Sequence, residues 1–147
     1  MAKTEALSSL QRIYVDANIF IYFVEGDGAE REAVTALFVE AAEKDIQLVT
    51  ADITIAECLR GALANGDEPA ASTFRDLLSN GDLVELVAAE PVLCEYAALA
   101  GFTFSLKLLD AIHVASAVIG ECEALLTNDK GIRGPENLRI IQLSDLL

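Results

Sequence analysis

Two acidic residues of this 147-residue chain stand where acids are uncommon. Asp110 opens the apolar run LLDAIHVASAVIG, and Asp129 follows the β-type run ALLT in the turn Thr127-Asn128-Asp129. Two more acids lie upstream: Asp16 closes the run Arg12-Ile13-Tyr14-Val15, and Glu57 sits within the apolar stretch ITIAECLRG. Carboxylates drawn together by a fold make an oxygen-only site, which suits Mg²⁺ or Mn²⁺ better than zinc. A cation there offsets the repulsion among the acids. It also lowers the pKa of a bound water and stabilises charge on the leaving oxygen of a phosphodiester, giving hydrolysis without a nucleophilic side chain.

Each residue also has a plainer reading. Asp16 or Asn18 is placed to cap the helix that follows, and Glu57 is most simply at a helix margin. His113, the only histidine, shares a helix face with Asp110 but lies in an apolar helix with no second ligand at metal spacing. A packed histidine bonded to backbone is the simpler expectation. Thr127 and Asn128 suit a turn as well as a supporting role. Arg60, Lys107, Lys130 and Arg133 flank the acids and could meet phosphates or pair with surface carboxylates. Phe20, Tyr22, Phe23, Phe102 and Phe104 are read as core, although an aromatic near the site could stack a base.

The elements that must position these residues alternate along the chain. Strand-type runs fall at residues 12–15, 46–50, 82–88, 123–127 and 138–143. Helical patterns occupy residues 19–26, 29–44, 53–65, 68–78, 91–101 and 106–121, with Gly101 as a stop signal. Strand alternating with helix predicts an α/β domain with a mainly parallel sheet covered on both faces. In such sheets ligands bind at the carboxyl ends of the strands, which is where Asp16 and Asp129 fall.

Composition narrows the setting. A chain of this length, 53% hydrophobic, is expected to form one domain over residues 1–147 with a polar N-terminal stretch over 1–11. No apolar run reaches membrane-spanning length, and the start lacks a signal-peptide pattern, so a soluble, cytoplasmic protein is expected. Cys58, Cys94 and Cys122 suit buried thiols in a reducing compartment. The net charge of −14 argues against nucleic-acid binding through a broad basic surface. It leaves room for a nuclease, because bound cations reverse the local sign. No Walker loop and no GxGxxG turn is present, which removes nucleotide-binding versions of a phosphoryl-transfer enzyme.

Four blocks in order, IYVDANIFIY, ITIAECLRG, LKLLDAIHVASA and ALLTNDKGI, resemble the PIN domain, and more narrowly the VapC-type ribonuclease toxins of toxin–antitoxin pairs. The resemblance covers nearly the whole chain from Arg12 to Leu143. It implies a three-layer α/β/α sandwich and a Mg²⁺- or Mn²⁺-dependent endoribonuclease, often a homodimer, restrained by a cognate antitoxin. It maps an acidic quartet onto Asp16, Glu57, Asp110 and Asp129, with Asn18 and Thr127 as supporting polar groups. The alternative is a catalytically inactive PIN-like module that works through protein contacts.

Overall fold

The computed structural model describes residues 7–147. Strand β1 (Arg12–Val15) leads into helices α1 (Ala17–Glu25) and α2 (Gly28–Glu43), and β2 (Gln47–Ala51) into α3 (Ile53–Ala64) and α4 (Glu68–Ser79). Then come β3 (Val84–Val87), α5 (Pro91–Phe104), α6 (Leu108–Ile119), β4 (Ala124–Thr127), β5 (Arg139–Gln142) and a 3₁₀ turn over Leu143–Leu146.

The five strands form one sheet in the order β3-β2-β1-β4-β5, every pair parallel. Chain order reverses between β1 and β4, so a crevice opens at their carboxyl ends. The register there pairs Tyr14 with Leu125 and Val15 with Leu126, and the Asp16 N–H continues the ladder to the Leu126 carbonyl at 3.2 Å. Asp16 and Thr127 therefore leave the sheet side by side.

Side-chain alternation along the strands divides the interior into two layers. Ile13, Val15, Leu48, Leu126 and Ile141 face α1, α2, α3 and α4 around Phe20, Leu37 and Phe74. Tyr14, Val49 and Leu125 face Val114 and Ala117 of α6. Helix α5 lies outside α6, packing Leu93 and Ala97 on Ala111 and Ala115. The result is the expected α/β/α sandwich, with a sheet that is wholly parallel. Of the N-terminal stretch, Leu7 is buried in the core; residues 1–6 lie outside the described residues.

Several expectations change. Gly101 does not end its helix: α5 runs on to Phe104 and is closed by Ser105 in the left-handed region at φ 55°. A Cβ at Gly101 would stand 3.4 Å from that of Ala111, so this glycine serves the close packing of α5 on α6. Helix α6 accordingly starts two residues later than expected. Phe102, read as core, is 88% exposed, and Cys94, read as a buried thiol, is exposed. Both lie on the outer surface of α5, because an apolar helix packed on another helix buries only one stripe. No single helix among the described residues is long and apolar enough to cross a membrane.

Candidate active site

Asp16 is 4% exposed at the end of β1. One carboxylate oxygen accepts the Ile19 N–H at 3.4 Å as the N-cap of α1, and the other accepts the Thr127 hydroxyl. Capping thus occupies one oxygen while Thr127 holds the second. Burial raises the Asp16 pKa, and the Thr127 hydrogen bond, His113 and the Ile19 N–H oppose that rise.

Thr127 ends β4 fully buried. Its hydroxyl donates to Asp16 and accepts the Asp129 N–H at 3.0 Å, using one donor and one lone pair of the same atom. It is both the turn former and the support for an acid. Asp129 is held further by the Gly131 N–H on its carboxylate at 2.8 Å and by Gln142, whose amide donates to the Asp129 carbonyl at 3.1 Å. Asn128 donates to the Tyr22 hydroxyl at 2.9 Å and ties the turn to α1.

Asp110 lies in the first turn of α6, where the helix dipole favours an anion. Its pKa is raised first by burial and next by the charge of Asp129 and a carboxyl–carboxyl hydrogen bond with it; His113 and Lys107 pull the other way. Two carboxylates this close resist joint ionisation.

Glu57 departs from the helix-margin expectation. Its Oε1 lies 2.7 Å from His113 Nε2, with the glutamate side chain 27% exposed. His113 is packed as expected but is bonded to side chains rather than backbone: its Nδ1 lies 2.6 Å from the Tyr14 hydroxyl, which accepts the Ala51 N–H at 3.1 Å. Burial pushes the Tyr14 phenol well above its usual range. Tyr14 and Gln142 were not singled out from sequence. A tyrosine inside an inner strand is itself a signal, since its hydroxyl must find a partner.

Asn18 is exposed, and its side chain makes no hydrogen bond to any of the four acids. Arg60, Lys107, Lys130 and Arg133 are exposed, and among the described residues none of them forms an ion pair.

Among the described residues no three His, Cys, Asp or Glu side chains are gathered tightly enough to make a ready metal cluster. Asp110 and Asp129 form one close pair, while Asp16 is tied to Thr127 and Glu57 to His113. The chemistry of these side chains suits a hard divalent cation all the same. Mg²⁺ keeps several waters and takes only one or two carboxylates directly, and Asp16 and Asp110, whose pKa values are raised first by burial with Glu57 and Asp129 adding to it, are acids whose ionised form a cation would favour. The donor set is oxygen only, so zinc is disfavoured.

Thr127→Val removes the hydroxyl shared by Asp16 and the Asp129 N–H. The buried Asp16 carboxylate and the part-buried Asp129 N–H then lose a partner, so stability should fall by about 1–3 kcal/mol. Thr127→Ser should keep most of it, as read by urea denaturation of the two variants beside wild type.

A family model described as PIN domain matches residues 13–136. No curated protein matches the chain. Among solved structures, VapBC2 from Rickettsia felis bound to a DNA fragment from its promoter aligns with a TM-score of 0.70 at 16% identity, covering 89% of this chain and 98% of that one. A toxin–antitoxin complex from Klebsiella pneumoniae gives 0.66 at 24% identity, over 86% and 94%. Mycobacterium tuberculosis VapC20, a Sarcin-Ricin loop cleaving toxin, gives 0.61 at 17% identity, over 77% and 86%. At these identities the likeness speaks for the fold.

Proposed function

Since the chain belongs to the PIN-domain family, we propose that it is an endoribonuclease dependent on Mg²⁺ or Mn²⁺, and the toxin of a type II toxin–antitoxin pair. The observation that carries this reading is the Thr127 hydroxyl joining Asp16 to the Asp129 backbone at the point where strand order reverses, with Asp110 against Asp129. A purely structural turn has no use for an acid pair such as Asp110 and Asp129 beside a buried Asp16. The resemblance to a Sarcin-Ricin loop cleaving toxin favours RNA as substrate.

Asp16, Asp110, Asp129 and Glu57 would hold the ion. When bound, it supplies a water of lowered pKa and positive charge for the leaving oxygen. Thr127 keeps Asp16 and the Asp129 turn in register, and Asn18 stands exposed at the start of α1 to meet water or substrate. Arg60, Lys107, Lys130 and Arg133, exposed and in no ion pair among the described residues, would take RNA phosphates. With a net charge of −14, the chain depends on these local cations and the bound ion rather than on a broad basic surface.

The partner reading has two supports. The structural neighbours include toxin–antitoxin complexes, which favours a cognate antitoxin. Val92, Leu99 and Phe102 lie at helical spacing on the exposed side of α5, with exposed Leu108 and Leu109 beyond them. An apolar surface of this kind suits a second copy of the chain, as in a homodimer.

Partner-free protein should cleave an RNA pool with Mg²⁺ or Mn²⁺ and lose the activity in EDTA. Silence toward every RNA with either ion would instead favour a protein-binding module. The toxin claim is tested separately by expression in a host: wild type should arrest growth and Asp129→Asn should not. Harmless expression of an active enzyme would reject it.

A further inference from the structure

The Tyr14–His113–Glu57 chain links three elements, β1, α6 and α3, and reaches from the buried sheet surface to the acidic crevice. The Tyr14 hydroxyl accepts the Ala51 N–H at 3.1 Å, so one of its lone pairs is engaged by a fixed backbone donor. A phenol is protonated at neutral pH, and its own proton needs an acceptor in a site where the tyrosine is fully buried. The Thr50 and Ser116 hydroxyls also stand against the phenol but donate to the Val15 and Ile112 carbonyls, and His113 Nδ1, 2.6 Å away, is the acceptor within close hydrogen-bond distance. An Nδ1 that accepts leaves the proton of a neutral imidazole on Nε2. That nitrogen then donates to Glu57 Oε1 at 2.7 Å. The ring is 3% exposed and also lies edge-on to Tyr14, with centroids 5.7 Å apart, so it has little freedom to flip.

We propose that Tyr14 and His113 are positioning residues: Tyr14 holds His113 as the Nε2–H tautomer, and His113 commits one oxygen of Glu57, leaving the other to face the ion. The idea rests on Glu57 being one of the residues that hold the cation. In this arrangement a buried tyrosine in β1 sets the orientation of a glutamate that it never touches. Groups that orient a metal-binding side chain in this way typically change affinity by about 10–100-fold when removed. The same strand thus serves the site twice, through Asp16 directly and through Tyr14 at one remove.

The tautomer is read without any metal, from ¹⁵N chemical shifts of the His113 ring in the metal-free protein. A pyridine-like Nδ1 and a pyrrole-like Nε2 are expected. A protonated Nδ1, in either the other tautomer or the imidazolium, would overturn the proposal. Mn²⁺ binding measured by calorimetry supplies the second arm. Tyr14→Phe should weaken it by about tenfold, and His113→Leu by at least as much. His113→Gln, whose amide nitrogen falls near the place of Nε2 and can still donate to Glu57, should recover most of the affinity. Equal affinity in wild type, Tyr14→Phe and His113→Leu would reject the positioning role while leaving the metal site intact. Failure of wild type to bind Mn²⁺, or indifference of its binding to Glu57→Gln, would instead reject the reading of the site on which the proposal rests. Circular dichroism of each variant separates these outcomes from misfolding, and His113→Leu and His113→Gln share any loss that comes from the missing ring alone.

Discussion

Asp110→Asn should abolish RNA cleavage while leaving the metal-free protein as stable as wild type or more so. The activity loss is expected to reach about 10³-fold, since the interactions of a catalytic ion with a transition state amount to several kcal/mol and each 1.36 kcal/mol is tenfold in rate. The stability side follows from the raised pKa of Asp110. Where a carboxyl has a higher pKa folded than unfolded, the native state binds more protons between the two values, so stability falls as pH rises through that window. Below the unfolded pKa the group is neutral in both states and the penalty vanishes; above the folded pKa it is fully present. Asp16 carries a penalty of the same sign. Thermal unfolding of the EDTA-treated protein should therefore show stability declining from the acid carboxylate range upward, with a shallower decline in Asp110→Asn. Mg²⁺ should restore stability increasingly as pH rises, because only the ionised acids hold it. A wild-type profile that Mg²⁺ does not change at neutral pH would speak against a cation site here.

Phe20→Ala should have the largest effect on the fold and a small one on the chemistry. Phe20 is fully buried in α1, its ring 5.7 Å from that of Phe38 in α2. Removing it leaves a cavity where the first helix meets the second, and such truncations lower stability by about 3–5 kcal/mol. For a domain of this size that is a drop in melting temperature of roughly 10 °C. The ring packs against Phe38 of α2, so cleavage per folded molecule should stay within a few-fold of wild type below the transition. Calorimetry paired with an RNA assay at low temperature separates the two. A large loss of cleavage in protein that is still folded would mean that the α1 packing also sets the position of Asp16.

Much of this architecture is legible in the amino-acid sequence. Strand and helix patterns gave the right element order because each element carries its own period and its own start and stop residues. Asp16 and Asp129 were readable as a pair because parallel sheets gather their carboxyl ends on one edge. Gly101 misled because a glycine in a helix has two physical uses, ending the helix or admitting a neighbour, and only the packing of Ala111 tells them apart. Phe102 was misread since an aromatic in an apolar helix says nothing about which stripe is buried. The Tyr14–His113–Glu57 chain was hidden for another reason. Its two hydrogen bonds join residues 99 and 56 positions apart, on elements whose facing has no local signature.

The bond from Thr127 to Asp16 spans 111 positions, and this separation bears on when the protein first becomes active. A chain emerging from the ribosome presents β1 and its acid early, but the crevice has no second wall until β4 and the Asp129 turn have been made and paired with β1. Long-range pairings of this kind form late, because the entropy of closing the intervening chain must be met before the contact stabilises anything. Nascent chains that end before residue 129 therefore lack the Asp129 turn, and the four acids can come together only near the completion of the sheet. If the chain is the ribonuclease proposed above, made in the company of ribosomes, the topology itself withholds a complete site during synthesis.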